Sequence, residues 1–288
     1  MSRRRWALFA ILAVAPVLAQ NAQVLRTGNR GAGDNPFPPH KIIGNLYYVG
    51  SDEHCSFLIT TPAGNILINS GYETTVPMIR AAVEKLGFHF TDIKILLGSH
   101  AHADHMQGDA LVKELTAARV MAMEQDVPAL EKMRPGNKPH PIDRVLHDGD
   151  EVELGGTKLA AHLTPGHTKG CTSWTFSIQE NGKSYNVVIV CGMGANTGQA
   201  LVNNQDYPQI ADDYARGFKT LRALPCDVFL GSHTGHYGMQ EKYAKLQPGG
   251  SNPFIDPQGY QAHLDFYETT FRTKLKEEQQ HAQAGTAQ

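Results

Sequence analysis

Six consecutive residues, His100-Ala101-His102-Ala103-Asp104-His105, place three imidazoles and a carboxylate directly behind the apolar run DIKILLGS at 92–99. That run reads as a short buried strand, so the chain must fold with this strand end open to a polar, functional loop. If His100 and His102 stay extended, alternation puts both on one side, within reach of one ion. Asp104 and His105 then turn into the following helix and face a second position. Neutral imidazole and carboxylate suit zinc, which takes about four ligands and keeps a place for water in catalytic sites. A polar turn with incidental histidines is the competing reading, and at 14 histidines in 288 residues chance rarely produces this pattern.

Two more histidines follow strand-like runs. His167 lies in Thr164-Pro165-Gly166-His167-Thr168, and His233 in Leu230-Gly231-Ser232-His233-Thr234-Gly235-His236. Alone, each reads as a satisfied polar histidine; beside the 100–105 cluster, both become ligand candidates. His162 alternates inside a strand and reads as structural. His236 is a group that reaches the site toward substrate or from behind a ligand. His40, His54, His89, His140, His147, His263 and His281 carry no metal-ligand spacing.

Composition sets the class. Hydrophobic residues make up 41% and charged residues 19%, which is ordinary globular chemistry and excludes a collagen, a coiled coil and a mostly disordered chain. Residues 1–23 begin with Arg3, Arg4 and Arg5, continue through an apolar run from Trp6 to Leu18, and reach small residues around Ala19. This reads as a signal peptide over 1–19, too short to span a bilayer. The product is expected to be periplasmic or secreted, without stable membrane association. Without the three arginines, 23 Lys and Arg face 28 Asp and Glu. No basic stripe remains for phosphate contacts, so nucleic acid is not an expected partner. Export permits disulfides, but Cys55, Cys171, Cys191 and Cys226 form no dense framework and no CxxC. Cys55, Cys191 and Cys226 lie in or beside apolar runs and read as buried small hydrophobes.

Residues 24–40 read as an extended arm. Strand signals follow at 45–50, 55–61, 65–70, 92–99 and 119–123, with helical spacing at 75–87, 109–117 and 125–133. Residues 144–164 hold two or three strands, and 174–190 a hairpin across Glu180-Asn181-Gly182. A helix at 208–222 leads into a strand at 227–232, and a terminal helix covers about 261–278. The order predicts sheets covered by helices without a linker, hence one catalytic domain over 20–288.

The spaced cluster, then Gly166-His167 and Gly231-Ser232-His233, resembles the metallo-β-lactamase superfamily, and more narrowly its subclass B3. The likeness extends through GNLYYVG (44–50), SFLITTPAGNILINSG (56–71), LHDGDEVELGG (146–156), TPGHTKGCTSW (164–174) and the text from 207 to 233. It implies an α/β fold, a four-layer αβ/βα sandwich of two mixed β-sheets with outer helices. It implies two zincs per chain, one on His100, His102 and His167, the other on Asp104, His105 and His233. The implied activity is hydrolysis of the β-lactam amide of penicillins, cephalosporins and carbapenems by a metal-bound hydroxide, with Asp104 as catalytic residue, in a monomer acting on a small molecule. The alternatives are a related dizinc hydrolase of a lactone, ester or thioester, and a non-catalytic zinc-binding protein.

Cys191-Gly192-Met193-Gly194 departs from the pattern of glyoxalase II and the lactonases, which carry a bridging aspartate here. Met193 and Ala195 stand where subclass B3 enzymes often have serines that hold the substrate carboxylate. Asn196, Thr197 or His236 would replace them, with Tyr72 as a further substrate-facing candidate. The other imidazole nitrogens need partners behind the site, for which Asn69, Ser70 and Ser232 are candidates.

Overall fold

The computed structural model describes residues 34–286. The leader and residues 24–33 of the arm lie outside them. The first half of the chain builds a seven-stranded sheet in sequence order: β1 (His40–Ile43), β2 (Leu46–Tyr48), β3 (Phe57–Thr61), β4 (Gly64–Ile68), β5 (Ile93–Leu97), β6 (Arg119–Met123) and β7 (Arg144–Leu146). Its strands run antiparallel through β4 and parallel from β4 to β7. The second half builds a five-stranded sheet from β8 (Glu151–Leu154), β9 (Thr157–Leu163), β10 (Thr172–Glu180), β11 (Lys183–Val190) and β12 (Val228–Gly231), in the order β12-β11-β10-β9-β8. Only β11 and β12 are parallel there. This is the expected sandwich of two mixed sheets with outer helices.

The side-chain alternation explains why the strands read as continuous apolar runs. In β3, β4 and β5, Phe57, Ile59, Ile66, Ile68, Ile95 and Leu97 face the core between the sheets. Leu58, Leu67 and Leu96 point the other way, onto Val76, Ile79, Val83 and Val112 of the helices Val76–Lys85 and Asp109–Thr116. Both faces are thus buried, as in parallel sheets generally. On the far side, Ile210, Tyr214, Phe218 and Leu221 of the helix Ile210–Ala223 join Tyr260, Leu264 and Phe271 of the terminal helix Pro257–Thr286. No helix among the described residues is long and apolar enough to cross a membrane.

Two elements differ from the sequence reading. The arm ends in a strand, β1, whose His40 pairs with Tyr48 across a tight turn at Gly44. A short helix, Met239–Ala244, follows the His233 loop. Neither carries a periodicity long enough to read from the sequence alone.

Register brings the functional loops to one edge. Ile68 pairs with Leu97, so Asn69 and Gly98 leave the first sheet together. Val190 pairs with Gly231, so Cys191 and Ser232 leave the second sheet together. Trp174 joins the two sheets beneath this edge: it is 1% exposed, and its indole Nε1 donates to the Gly98 carbonyl at 3.1 Å. Trp174→Phe keeps most of the apolar volume but strands that carbonyl, and is expected to lower stability by about 1–3 kcal/mol in urea unfolding. Trp174→Ala should lower it by about 3–5 kcal/mol. A phenylalanine variant as stable as the parent would mean that the hydrogen bond contributes nothing separable from the ring's bulk.

Candidate metal centre

The loop after β5 bends through Ser99–His102, where His102 N donates to the His100 carbonyl at 2.8 Å, and His102 itself, extended, precedes the four-residue helix Ala103–Met106. The expected helix from Ala103 occurs, whereas the extended run expected from His100 to His102 is broken by a tight turn at Ala101 that still brings both rings together. The ligand atoms of His100, His102 and His167 lie within 4.8 Å of one another. Beside them, Asp104 Oδ2 is 3.2 Å from His105 Nε2 and 3.7 Å from His233 Nε2, and the last two nitrogens are 3.3 Å apart. The rings of His100 and His105 stand 4.2 Å apart, so the two groups are contiguous.

Several imidazoles in one low-dielectric mouth are costly to charge. Burial, then the neighbouring histidines, holds His100 well below its usual pKa. Burial likewise lowers His102, takes His167 to about 4 and takes His233 to about 3. Burial works against ionisation of Asp104, but hydrogen bonds from His105 and His54 and nearby imidazoles outweigh it and lower its pKa. At neutral pH His100, His102, His167 and His233 therefore offer neutral nitrogens beside one carboxylate, the protonation state a divalent cation requires. Burial lowers the His54 pKa too, but hydrogen bonds to Asp104 and Asp34 outweigh it and raise it to about 9, so a cation there displaces a proton. His100 Nε2 is buried with no hydrogen-bond partner, which fits an atom aimed at a metal. The donor set suits zinc, and two candidate clusters are present, His100/His102/His167 and His54/Asp104/His233.

Partners behind these rings fix their orientation. His167 Nδ1 donates to the Gly194 carbonyl at 2.7 Å, leaving Nε2 toward the site. His100 Nδ1 lies 3.0 Å from Ser99 Oγ. Asn69, with φ of 64°, is the central pin. Its Oδ1 accepts from Ser99 N at 2.8 Å, its Nδ2 donates to the Cys55 carbonyl at 3.2 Å, and the same amide lies 3.5 Å from His105 Nδ1. Ser70 Oγ donates to Asp109 at 2.5 Å, steadying the helix behind His105. Ser232 is buried, and its Oγ has no hydrogen-bond partner.

Gly192 lies flat against His167: a Cβ there would stand 2.3 Å from the ring, so no larger residue fits. Cys191, expected as a buried small hydrophobe, is buried but bonded to Cys171. The partners lie 20 residues apart and meet because β10 and β11 are neighbours. Cys55 and Cys226 are free.

The substrate-side candidates scatter. Tyr72 is half-buried, its ring 5.6 Å from His54. Met193 is 6% exposed and packs in the main core, whereas Ala195 is exposed. Asn196 Nδ2 donates to the His167 carbonyl at 3.1 Å, so it braces a candidate ligand loop. His236 sits 5.0 Å from the His233 ring and packs on His263 and Tyr267.

Two residues that sequence spacing did not single out are central. His54 enters the mouth from the β2–β3 turn. Asp126, buried, joins the loops that carry the first cluster: its Oδ2 accepts from Ala101 N at 2.8 Å and Thr168 Oγ1 at 2.9 Å, its Oδ1 from Gly170 N at 2.7 Å. Burial raises its pKa against the pull of those bonds. Nothing in the local text around Asp126 signals this, because all its partners are distant in sequence. Asp126→Ala would leave two buried amides unpaired and is expected to lose about 2–5 kcal/mol of stability in the metal-free protein. Zinc affinity at the first cluster should fall about 10- to 100-fold by chelator competition. Unchanged affinity would show that the loops hold their spacing without it.

The metallo-beta-lactamase superfamily profile matches residues 52–233. Among solved structures, the native FEZ-1 metallo-beta-lactamase from Legionella gormanii is 49% identical, with a TM-score of 0.82, covering 85% of this chain and 98% of that one. BJP-1, a subclass B3 metallo-beta-lactamase of Bradyrhizobium japonicum, is 35% identical, with a TM-score of 0.79, covering 87% of this chain and 98% of that one. A curated relative of a different kind, a hydroxyacylglutathione hydrolase of Rhodopseudomonas palustris, is 32% identical over 184 residues, 64% of this chain and 62% of the relative's own length. With the family profile spanning more than half of its length and both histidine clusters in place, this chain belongs to the metallo-beta-lactamase superfamily.

Proposed function

We propose that the chain is a dizinc hydrolase that opens the β-lactam amide of penicillins, cephalosporins and carbapenems. In this reading His100, His102 and His167 hold one zinc, and Asp104, His105 and His233 hold the other. When bound in such sites, zinc lowers the pKa of water toward 7 and polarises a carbonyl oxygen. The chain's own part is to present these donors unprotonated, to keep Asp104 ionised between the two sites, and to exclude competing nucleophiles. Cys55 is buried with its thiol pushed up to about 12, Cys171 and Cys191 are consumed in a disulfide, and Ser99 Oγ is engaged beside His100. Water is then the attacking species. Tyr72, Asn196 and His236, which stand beside His54, His167 and His233, are the candidate substrate contacts.

The observation that carries the lactam reading is the turn after β11. Residues Cys191-Gly192-Met193-Gly194 hold no carboxylate, and the close packing of Gly192 on His167 leaves no room for one there. The 49% identity over nearly the whole length of a metallo-beta-lactamase supports the same reading. A second reading, hydrolysis of a thioester, lactone or ester at this centre, draws support from the hydroxyacylglutathione hydrolases. Export to an oxidising compartment agrees with the leader and with the Cys171–Cys191 bond.

The test is initial rates on a penicillin, a cephalosporin, a carbapenem and a hydroxyacylglutathione thioester, with the protein zinc-loaded, chelated and reloaded. Lactam turnover is expected, lost on chelation and restored by zinc. Thioester turnover without lactam turnover, with two zincs bound, would transfer the function to the second reading.

A further inference from the structure

His54 stands outside the ligand set assigned above, yet its placement is that of a ligand. We propose that His54 binds the second zinc through Nε2, making that site a three-histidine, one-carboxylate set of His54, Asp104, His105 and His233. The inference rests on the dinuclear reading and deepens it.

Distances carry it. Zinc bonds to nitrogen and oxygen of about 2.0–2.2 Å, arranged tetrahedrally, set neighbouring ligand atoms about 3.3–3.5 Å apart. Asp104 Oδ2 has three nitrogens at such separations: His105 Nε2 at 3.2 Å, His54 Nε2 at 3.3 Å and His233 Nε2 at 3.7 Å. A further pair, His105 and His233, is separated by 3.3 Å. The ligand atoms of His54, Asp104 and His233 also lie within 4.8 Å of one another.

The other side of the His54 ring is built as a ligand's should be. Its Nδ1 lies 2.8 Å from Asp34 Oδ1, and Asp34 is 4% exposed and held by Ser51 Oγ at 2.6 Å. A carboxylate behind Nδ1 selects the tautomer that presents Nε2 as a lone pair, the usual support of a metal-bound histidine. Its backbone is equally fixed. His54 and His233 form an antiparallel bridge, Cys55 N donates to the Ser232 carbonyl at 3.0 Å, and Thr234 N donates to the Glu53 carbonyl at 3.0 Å. The turn carrying His54 is therefore stitched to the loop carrying His233, and the two rings stand 5.0 Å apart.

The test uses the whole mature protein and two variants. His54→Leu removes the nitrogen; His54→Gln keeps a hydrogen-bonding group beside Asp104 and Asp34 but no imidazole. Zinc stoichiometry and stepwise affinity are measured by chelator competition, and ligand histidines are counted from the hyperfine-shifted ring N–H signals of the cobalt-loaded protein. The parent is expected to bind two ions and give six histidine signals. Both variants should lose one signal and bind the second ion at least about 10-fold more weakly, with the first unchanged. Two ions in the parent with five signals, and a glutamine variant whose second affinity matches the parent's, would overturn the proposal and make His54 a positioning residue. Fewer than two ions in the parent would instead overturn the dinuclear reading.

Discussion

The structure depends on one electrostatic constraint: several imidazoles must share a mouth between two sheets without being charged. Burial lowers the pKa of His100, His102, His167 and His233, and a proton on any one ring makes a proton on the next costlier. Such a site has unspent donor capacity, as the unpartnered His100 Nε2 shows. Buried donors without partners destabilise a fold. The surrounding core is thus carrying a group of atoms whose natural complement is a cation, and the metal's affinity becomes part of the folding free energy.

Holding that arrangement falls to three buried polar side chains. Asn69 takes the left-handed conformation to reach Ser99, Cys55 and His105 at once. Asp126 ties the loop of His100 to the loop of His167. Asp34, through Ser51 and His54, orders the turn against the His233 loop. The sheets supply coarse register and these residues the fine placement. A sandwich with the same strands and no such pins would hold the histidines near one another but not at ligand spacing.

Much of this was legible in the text. The strands buried on both faces are continuous apolar runs, the β10–β11 hairpin announces itself at Asn181-Gly182, and the 100–105 cluster states its own chemistry. Strand β6 even matches its expected bounds at Arg119–Met123. What escaped is what depends on distant partners. The four-residue strand β1, at the end of the arm, has no period to detect. Cys171 and Cys191 look like separate core residues until β10 and β11 are seen side by side. Asp126 is one carboxylate among many, distinguished only by amides 25 and 44 positions away.

His54 marks the sharpest limit of sequence reading. Ligand spacing in a sequence is visible only where ligands share a loop, because only then does geometry follow from local conformation. The candidate ligands His100, His102, Asp104 and His105 meet that condition; the candidates His167 and His233 are recoverable because each follows a strand that ends at the same edge. His54 enters from the opposite direction, on a turn between antiparallel strands, where Ser51-Asp52-Glu53-His54 looks like solvated surface text. Its partners, Asp34 and Asp104, are 20 and 50 positions away on opposite sides in sequence. Yet the two carboxylates leave the ring only one productive orientation, with Nδ1 toward Asp34 and Nε2 toward Asp104. A histidine oriented so strictly at the lip of a cation site is under the same physical constraint as the ligands beside it, whatever its distance from them in the chain.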